Sequence, residues 1–337
     1  MTNILYLGNK LSHYGLTKGV IETLGPQLES EGFKVTYAGI RKNMVLRMLE
    51  MLFSVLRHSR WVDYVLIDTY STSAFWYAWF SGMLCRLLKV KYIHILHGGS
   101  LPSRLKRSKG LCNQIFQHSY GNVAVSGFLK DAFDKAAYPT VVIPNNIHIC
   151  VYPFKQREKL RPRLLWVRSF HRQYNPNMAA DVLVLLLKEY PYAELCMVGP
   201  DKDGSMEVFK TYCKKLGVLE NVKITGLISK SEWHKLSIDY DIFINTTDVD
   251  NTPVSVIESM ALGLPVVSTN VDGIPFLLKN KANALLVNKA DSEGMYIAII
   301  DLIVCPEMAV KMAINAREKA ESFDWSVVKD KWKALLK

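Results

Sequence analysis

Short apolar runs alternate with helical stretches along the whole chain, and the runs have the length of strands. In the first half these are NILYLG (3–8), KVTYAGI (34–40), YVLIDTY (64–70), KYIHILHGG (91–99), NVAVS (122–126) and TVVIPN (140–145). The alternation pauses at CVYPFKQREKLRP (150–162), where Pro, Lys and Arg interrupt it, and we read that stretch as a linker. It restarts with RLLWVRS (163–169), ELCMVGP (194–200), NVKITG (221–226), DIFINTT (241–247), PVVST (265–269) and ALLV (284–287). Val- and Ile-rich strands separated by helices predict βαβ crossovers and parallel sheets covered on both faces. The pattern predicts two doubly wound α/β domains, at 1–150 and 151–310. The closing residues 311–337 predict helices that pack back on the first domain, with Trp325 and Trp332 on an apolar face.

Two helices carry distinct signals. TKGVIETLGPQLESEG (17–32) follows the first strand and ends at Gly32. In NMVLRMLEMLFSVLR (43–57) the polar residues Arg47, Glu50, Ser54 and Arg57 form one narrow stripe, and the rest is Met, Val, Leu and Phe. Such a helix is either buried against the sheet or partly immersed in a bilayer surface, and it is too short to span.

Charge changes this picture. The net charge is +11, and residues 1–150 hold 17 Lys/Arg against 8 Asp/Glu, so the excess lies in the first half. No acid occurs between Asp68 and Asp131, while RLKRSK (104–109) packs four cations together. A basic half predicts an anionic partner, such as a membrane surface or a phosphorylated substrate. No nucleic-acid-binding motif accompanies it, so nucleic acid is not expected. The six cysteines are scattered without CxxC or His at ligand spacing, which predicts a reduced, cytoplasmic protein with no metal site. The opening MTNILYLGNK predicts a first strand rather than a secretory leader.

The candidate chemistry centres on TTDVDNTPVSVIESMALGLPVVST (246–269). Asn251 or Thr252 is placed to cap a helix whose first residue is Pro253, and Gly263 with Pro265 ends it. In an open parallel sheet that helix start lies at the carboxyl ends of the strands, where its free N–H groups favour an anion. Asp250 and Glu258, eight residues apart, also suit a sugar, because ionised carboxylates accept hydrogen bonds from pairs of hydroxyls. Taken singly, Asp250 also reads as a turn residue and Glu258 as an exposed helix position.

Together the stretch resembles the signature of family 4 glycosyltransferases, which have the two-domain GT-B fold with two Rossmann-like domains facing across a cleft. The resemblance implies a retaining transferase that uses a nucleotide-diphosphate sugar as co-substrate, with no cofactor and no metal ion. It implies that Glu258 holds the ribose, that Asp250 holds the donor sugar, and that the backbone of Asn251, Thr252, Pro253 and Val254 approaches sugar and diphosphate. HYGLTKG (13–19) is similar to the family's glycine loop and places Gly15 near the phosphates; LHGGS is similar to the loop that carries a histidine, here His97. LLWVRSFHRQYNP stands where the family has a strand, an Arg and then a Lys for the diphosphate. Here Arg168 keeps the Arg, Gln173 stands at the Lys position, and Arg172 is the nearest substitute. Asp250 replaces a glutamate, and Asp272 replaces a frequent glycine.

The expected acceptor is a glycan or lipid-linked saccharide in bacterial surface polysaccharide synthesis, with the protein peripheral on the inner face of the plasma membrane. Two rivals share the resemblance: a nucleotide-sugar 2-epimerase, and a catalytically degenerate subunit of a glycan-assembly complex.

Overall fold

A computed structural model describes residues 1–16 and 18–337; Thr17, at the expected start of the first helix and inside the expected glycine loop, lies outside the described residues. The chain forms two units, one of Met1–Pro144 with Ser326–Lys337 and one of Asn145–Trp325. In the first, β1 (Asn3–Leu7), β2 (Lys34–Ala38), β3 (Tyr64–Thr69), β4 (Tyr92–Leu96), β5 (Gly121–Ala124) and β6 (Thr140–Val142) make one sheet. Its helices are α1 (Ile21–Ser30), α2 (Met44–His58), α3 (Phe75–Leu87), α4 (Leu101–Arg107), α5 (Lys109–Phe116) and α6 (Gly127–Lys135).

The second unit holds β7 (Arg163–Val167), β8 (Glu194–Val198), β9 (Val222–Gly226), β10 (Ile242–Asn245), β11 (Val266–Thr269) and β12 (Leu285–Val287). Its helices are α7 (Pro176–Leu187), α8 (Ser205–Leu216), α9 (Lys230–Leu236), α10 (Val254–Ala261), α11 (Ile274–Leu277), α12 (Ser292–Val304) and α13 (Pro306–Glu321). The last helix, α14 (Trp325–Leu335), returns to the first unit. There Lys329 and Lys333 pair with Glu31 at the end of α1, and the Tyr64 hydroxyl donates to the Lys337 carbonyl at 2.7 Å. The division therefore leaves α13 wholly with the second unit.

Both sheets are parallel throughout, in the orders β2-β1-β3-β4-β5-β6 and β12-β11-β10-β7-β8-β9. Every strand expected from the hydrophobic pattern is present. The pleat sends alternate residues to opposite layers of core. Leu164, Trp166, Ile242 and Ile244 pack with α7, α8 and α12, whereas Leu165 and Phe243 pack with α10 and α13. In the second sheet the chain order reverses between β7 and β10, which share an edge. Ligands of open α/β sheets bind outside the carboxyl ends of strands at such a reversal.

The stretch read as a linker is part of the second unit. Arg157 is 4% exposed, and its guanidinium donates to five carbonyls: Tyr240 (2.9 Å), Lys155 (2.9 Å), Ser237 (2.8 Å), Leu262 (3.3 Å) and Gly263 (2.9 Å). The last two close the carboxyl end of α10, where a cation complements the helix dipole. Gly263 is left-handed there (φ 76°), as the sequence predicts for the residue after this helix.

Burial also sets a pH response in the first unit. His94 on β4 is buried beside Phe116, and its Nδ1 lies 2.9 Å from the Thr69 hydroxyl, which itself donates to the Ile67 carbonyl. That bond favours the neutral tautomer with hydrogen on Nδ1. Desolvation pushes the pKa of His94 down to about 3. The unfolded chain, with an ordinary histidine, binds the extra proton first as pH falls. Stability should therefore decline below about pH 6.5 by about 1.4 kcal/mol per pH unit from this group. Urea unfolding at a series of pH values should show that slope in the wild type and a flatter one in His94→Gln; equal slopes would contradict it.

Candidate active site

The reversal between β7 and β10 brings two predicted residues into contact. Arg168 leaves the end of β7, and Asp250 lies in the loop after β10; their side chains form an ion pair, both largely buried. The Tyr174 ring lies under the guanidinium, with Cζ 4.2 Å from its centroid. Burial lowers the pKa of Arg168 and Tyr174 opposes the shift; an arginine remains charged regardless. Among the described residues nothing accepts from the buried Nε–H of Arg168. A desolvated cation with a donor to spare suits an anionic ligand better than a purely structural role.

The loop carrying Asp250 is fixed from several sides. Its Oδ1 accepts from the Asn251 N–H at 2.9 Å, and its carbonyl accepts from the Gly273 N–H at 3.0 Å. A Cβ on Gly273 would stand 1.9 Å from the Asn251 carbonyl oxygen, so only glycine permits this approach. Gln173, at the position of the family lysine, donates from its side chain to the Val249 carbonyl at 2.9 Å and accepts at its own carbonyl from the Asp248 N–H at 2.8 Å. Gln173 thus braces the loop. Arg172 is exposed in a single turn of 3-10 helix, and its N–H donates to Asp203 at 3.1 Å.

Helix α10 begins one residue later than expected: Pro253 is its cap, with ψ 116°, and Val254 its first residue. The Ser255 hydroxyl, in the first turn, is buried without a hydrogen-bond partner among the described residues. Glu258 is not the exposed helix position that its isolated reading suggests; it is 3% exposed. Its Oε1 accepts from the Tyr152 hydroxyl at 2.9 Å and from Lys230 Nζ at 2.6 Å. Burial, with the neighbouring charge of Glu258 and the hydrogen bond to it, raises the pKa of Tyr152, so the phenol stays a donor. The His234 ring lies 4.6 Å from that of Tyr152, tilted by 47°, and burial lowers its pKa.

Tyr152→Phe should cost about 1.5–3 kcal/mol, the range for a hydrogen bond to a buried charge. Lys230→Met should cost less, because its side chain is largely in solvent. Thermal melting compares them, and the reverse order would contradict this account of Glu258.

A family model described as Glycosyl transferases group 1 matches residues 152–319, which span β7 to α13 with all of these second-unit residues. Residues 152–319 belong to the group 1 glycosyl transferases. Among relatives of the chain is the amylovoran biosynthesis glycosyltransferase AmsK of Erwinia amylovora, 25% identical over 70% of this chain and 61% of its own. The chain spans about half the length of the first curated relatives it matches. Sucrose-phosphate synthase of Thermosynechococcus elongatus superposes with a TM-score of 0.82 at 14% identity, over 99% of this chain and 98% of its own. Anabaena HepE in complex with UDP-glucose gives 0.78 at 17% identity, over 100% and 99%. The chain has the GT-B fold, as these neighbours do.

The other two predicted residues lie in the first unit. Gly15 follows a 3-10 turn with φ 77°, exposed, with open space around its α-carbon. The loop around it is held by Glu22, which accepts from Ser12 and from the Gly19 N–H at 2.9 Å. Burial disfavours the Glu22 anion, but these bonds outweigh it and lower its pKa. His97 follows β4, with Nε2 2.8 Å from Asp68 Oδ1 and its ring 5.2 Å from Tyr70. The Tyr6 hydroxyl donates to the same oxygen at 3.1 Å. The sequence does not point to Asp68, Tyr152, Lys230 or the bracing role of Gln173. Each meets its partner across a long loop or from another strand, so no local spacing announces it.

Proposed function

We propose that this chain is a retaining glycosyltransferase that moves a sugar from a nucleotide-diphosphate sugar to a hydroxyl of a glycan or lipid-linked saccharide. The observation that carries the reading is the Arg168–Asp250 pair at the β7/β10 reversal, next to the start of α10. In transfer, the bond from the anomeric carbon to the phosphate oxygen breaks and a bond to the acceptor oxygen forms. Arg168, with Arg172 and the backbone of Asn251 to Val254, stabilises the charge on the departing diphosphate, commonly the largest catalytic term. Asp250 orients hydroxyls of the donor sugar, and Glu258 takes the ribose as Lys230, largely in solvent, swings aside. Retention follows from same-face attack, with the acceptor proton passing to the leaving phosphate. No metal ion is assigned a part.

The first unit, with Gly15 and with His97 held by Asp68, is assigned the phosphate loop and the orientation of sugar or acceptor. HepE in complex with UDP-glucose supports a uridine diphosphate donor as the first to try. A lipopolysaccharide outer core galactosyltransferase among the structural neighbours supports a surface glycan as product, and the basic first half supports a place for the protein on the inner face of the plasma membrane. The family match favours transfer over epimerisation.

A thermal-shift panel of UDP-, GDP-, ADP- and dTDP-sugars, with and without EDTA, tests this on wild type and Glu258→Ala. We expect one nucleotide to raise the melting temperature, with no effect of EDTA and no shift in the variant. No shift with any donor would favour the degenerate subunit.

A further inference from the structure

Helix α2 turns its charge inward and its apolar residues outward. Arg47 is 6% exposed; its guanidinium donates to the carbonyls of Arg41 at 2.8 Å and Lys42 at 3.2 Å, and to the Tyr77 hydroxyl of α3 at 3.0 Å. Glu50 accepts from the backbone N–H groups of Gly39 at 3.0 Å and of Ile40 and Arg41 at 3.2 Å. Met51 and Val55 fill the space toward the sheet. Arg47 and Glu50 of the polar stripe are therefore used up inside the unit, while Arg57 at its end is exposed. Leu46, Leu49, Phe53 and Leu56 follow one another at helical spacing on the opposite side, with Leu49 54% and Phe53 63% exposed. Of the two alternatives the sequence left open for this helix, burial of its whole apolar surface against the sheet does not hold.

Helix α3 packs beside α2 and exposes apolar residues of its own. Trp76, Phe80 and Leu87 are exposed along it, and Trp79 meets Trp76 and Phe80 edge to face at 5.9 and 4.9 Å. Arg41, Lys42, Arg57, Arg60, Arg86 and Lys89 are exposed around these residues. Within 41–61 and 71–90 the sole acid is Glu50, tied to the backbone. An apolar helical surface with tryptophan and a cationic edge is the composition of a protein surface seated in the headgroup region of a bilayer. Among the described residues no helix is long and apolar enough to cross one.

We infer that the α2–α3 face of the first unit docks on an anionic lipid bilayer. Phe53, Leu49 and Trp76 enter the boundary between headgroups and acyl chains, and Arg57, Arg60 and Arg86 meet lipid phosphates. A second copy is the poorer occupant: a two-fold contact sets the same cationic edges against each other with no free acid to pair them. Arg104 of the basic RLKRSK run is not part of this surface; its Nε–H donates to the Ser71 carbonyl at 2.8 Å, and its guanidinium lies over the Phe75 ring.

The inference deepens the membrane part of the proposed function and is independent of donor chemistry. Its test is cosedimentation of the full chain with equimolar phosphatidylglycerol–phosphatidylcholine vesicles and with phosphatidylcholine alone. Wild type should bind the anionic vesicles more tightly. Leu49→Asp combined with Phe53→Asp should weaken that binding by about tenfold or more, with circular dichroism unchanged. Loss of binding in the double variant supports the docking face whether or not the wild type responds to any sugar nucleotide. No binding by wild type, equal binding by the double variant, or a wild-type dimer that the double variant dissolves would each overturn it.

Discussion

Arg168→Ala should lower kcat about 100- to 1,000-fold while changing KM for the donor far less. The guanidinium is buried, paired with Asp250 and stacked on Tyr174, so it is fixed before a ligand arrives. A preorganised charge counts most where charge develops, and in glycosyl transfer that is the departing diphosphate. Removing it also leaves the carboxylate of Asp250 without its partner next to an anionic ligand, which adds to the loss. Arg168→Lys retains the charge but not the planar fork, and should recover only part of the rate. Steady-state release of nucleoside diphosphate measures both variants. A kcat within about threefold of wild type for Arg168→Ala would remove the residue from the chemistry.

The second large effect is on stability. Arg157→Ala should destabilise the second unit by about 3–5 kcal/mol, because each buried carbonyl left without its donor costs about 1–3 kcal/mol before the surroundings relax. Five carbonyls lose their donor together, two of them at the end of α10 and two at the turn before β10. Helix α10 carries the proposed donor site at its other end, so its loosened carboxyl terminus should also blunt the response to a donor nucleotide. Urea unfolding of Arg157→Ala gives the magnitude. A loss of about 1 kcal/mol or less would mark Arg157 as an ordinary exposed charge.

Arg157 also marks where the sequence is hard to read. In CVYPFKQREKLRP the mixture of Pro, Lys and Arg has the composition of a linker, and composition cannot reveal that five carbonyls converge on one guanidinium. The same run supplies Tyr152, whose partner Glu258 lies 106 residues away. The strands, by contrast, are legible because a parallel sheet covered on both faces leaves short continuous apolar runs. The start and stop of α10 are legible from Pro253 and Gly263 to within one residue, since each acts through local backbone geometry.

Helix α2 departs from one of its two sequence expectations, burial of its apolar surface, for a specific reason. Periodicity identifies which residues share a face, and it correctly groups Arg47 with Glu50; it does not say which face meets the sheet. The usual assumption that charge faces water fails where backbone N–H groups, carbonyls and a tyrosine hydroxyl satisfy both charges inside. At the site, the Arg168 and Asp250 segments are recognisable by resemblance. Their mutual contact depends on the β7/β10 adjacency, which only the strand order reveals.

Hydrogen–deuterium exchange of the full chain, with and without a sugar nucleotide identified by the thermal-shift panel, tests the donor site most directly. Slower exchange in peptides covering 168–174 and 249–258 is the predicted result. Unchanged exchange in both segments, with the nucleotide demonstrably bound, would place the donor elsewhere and contradict the account.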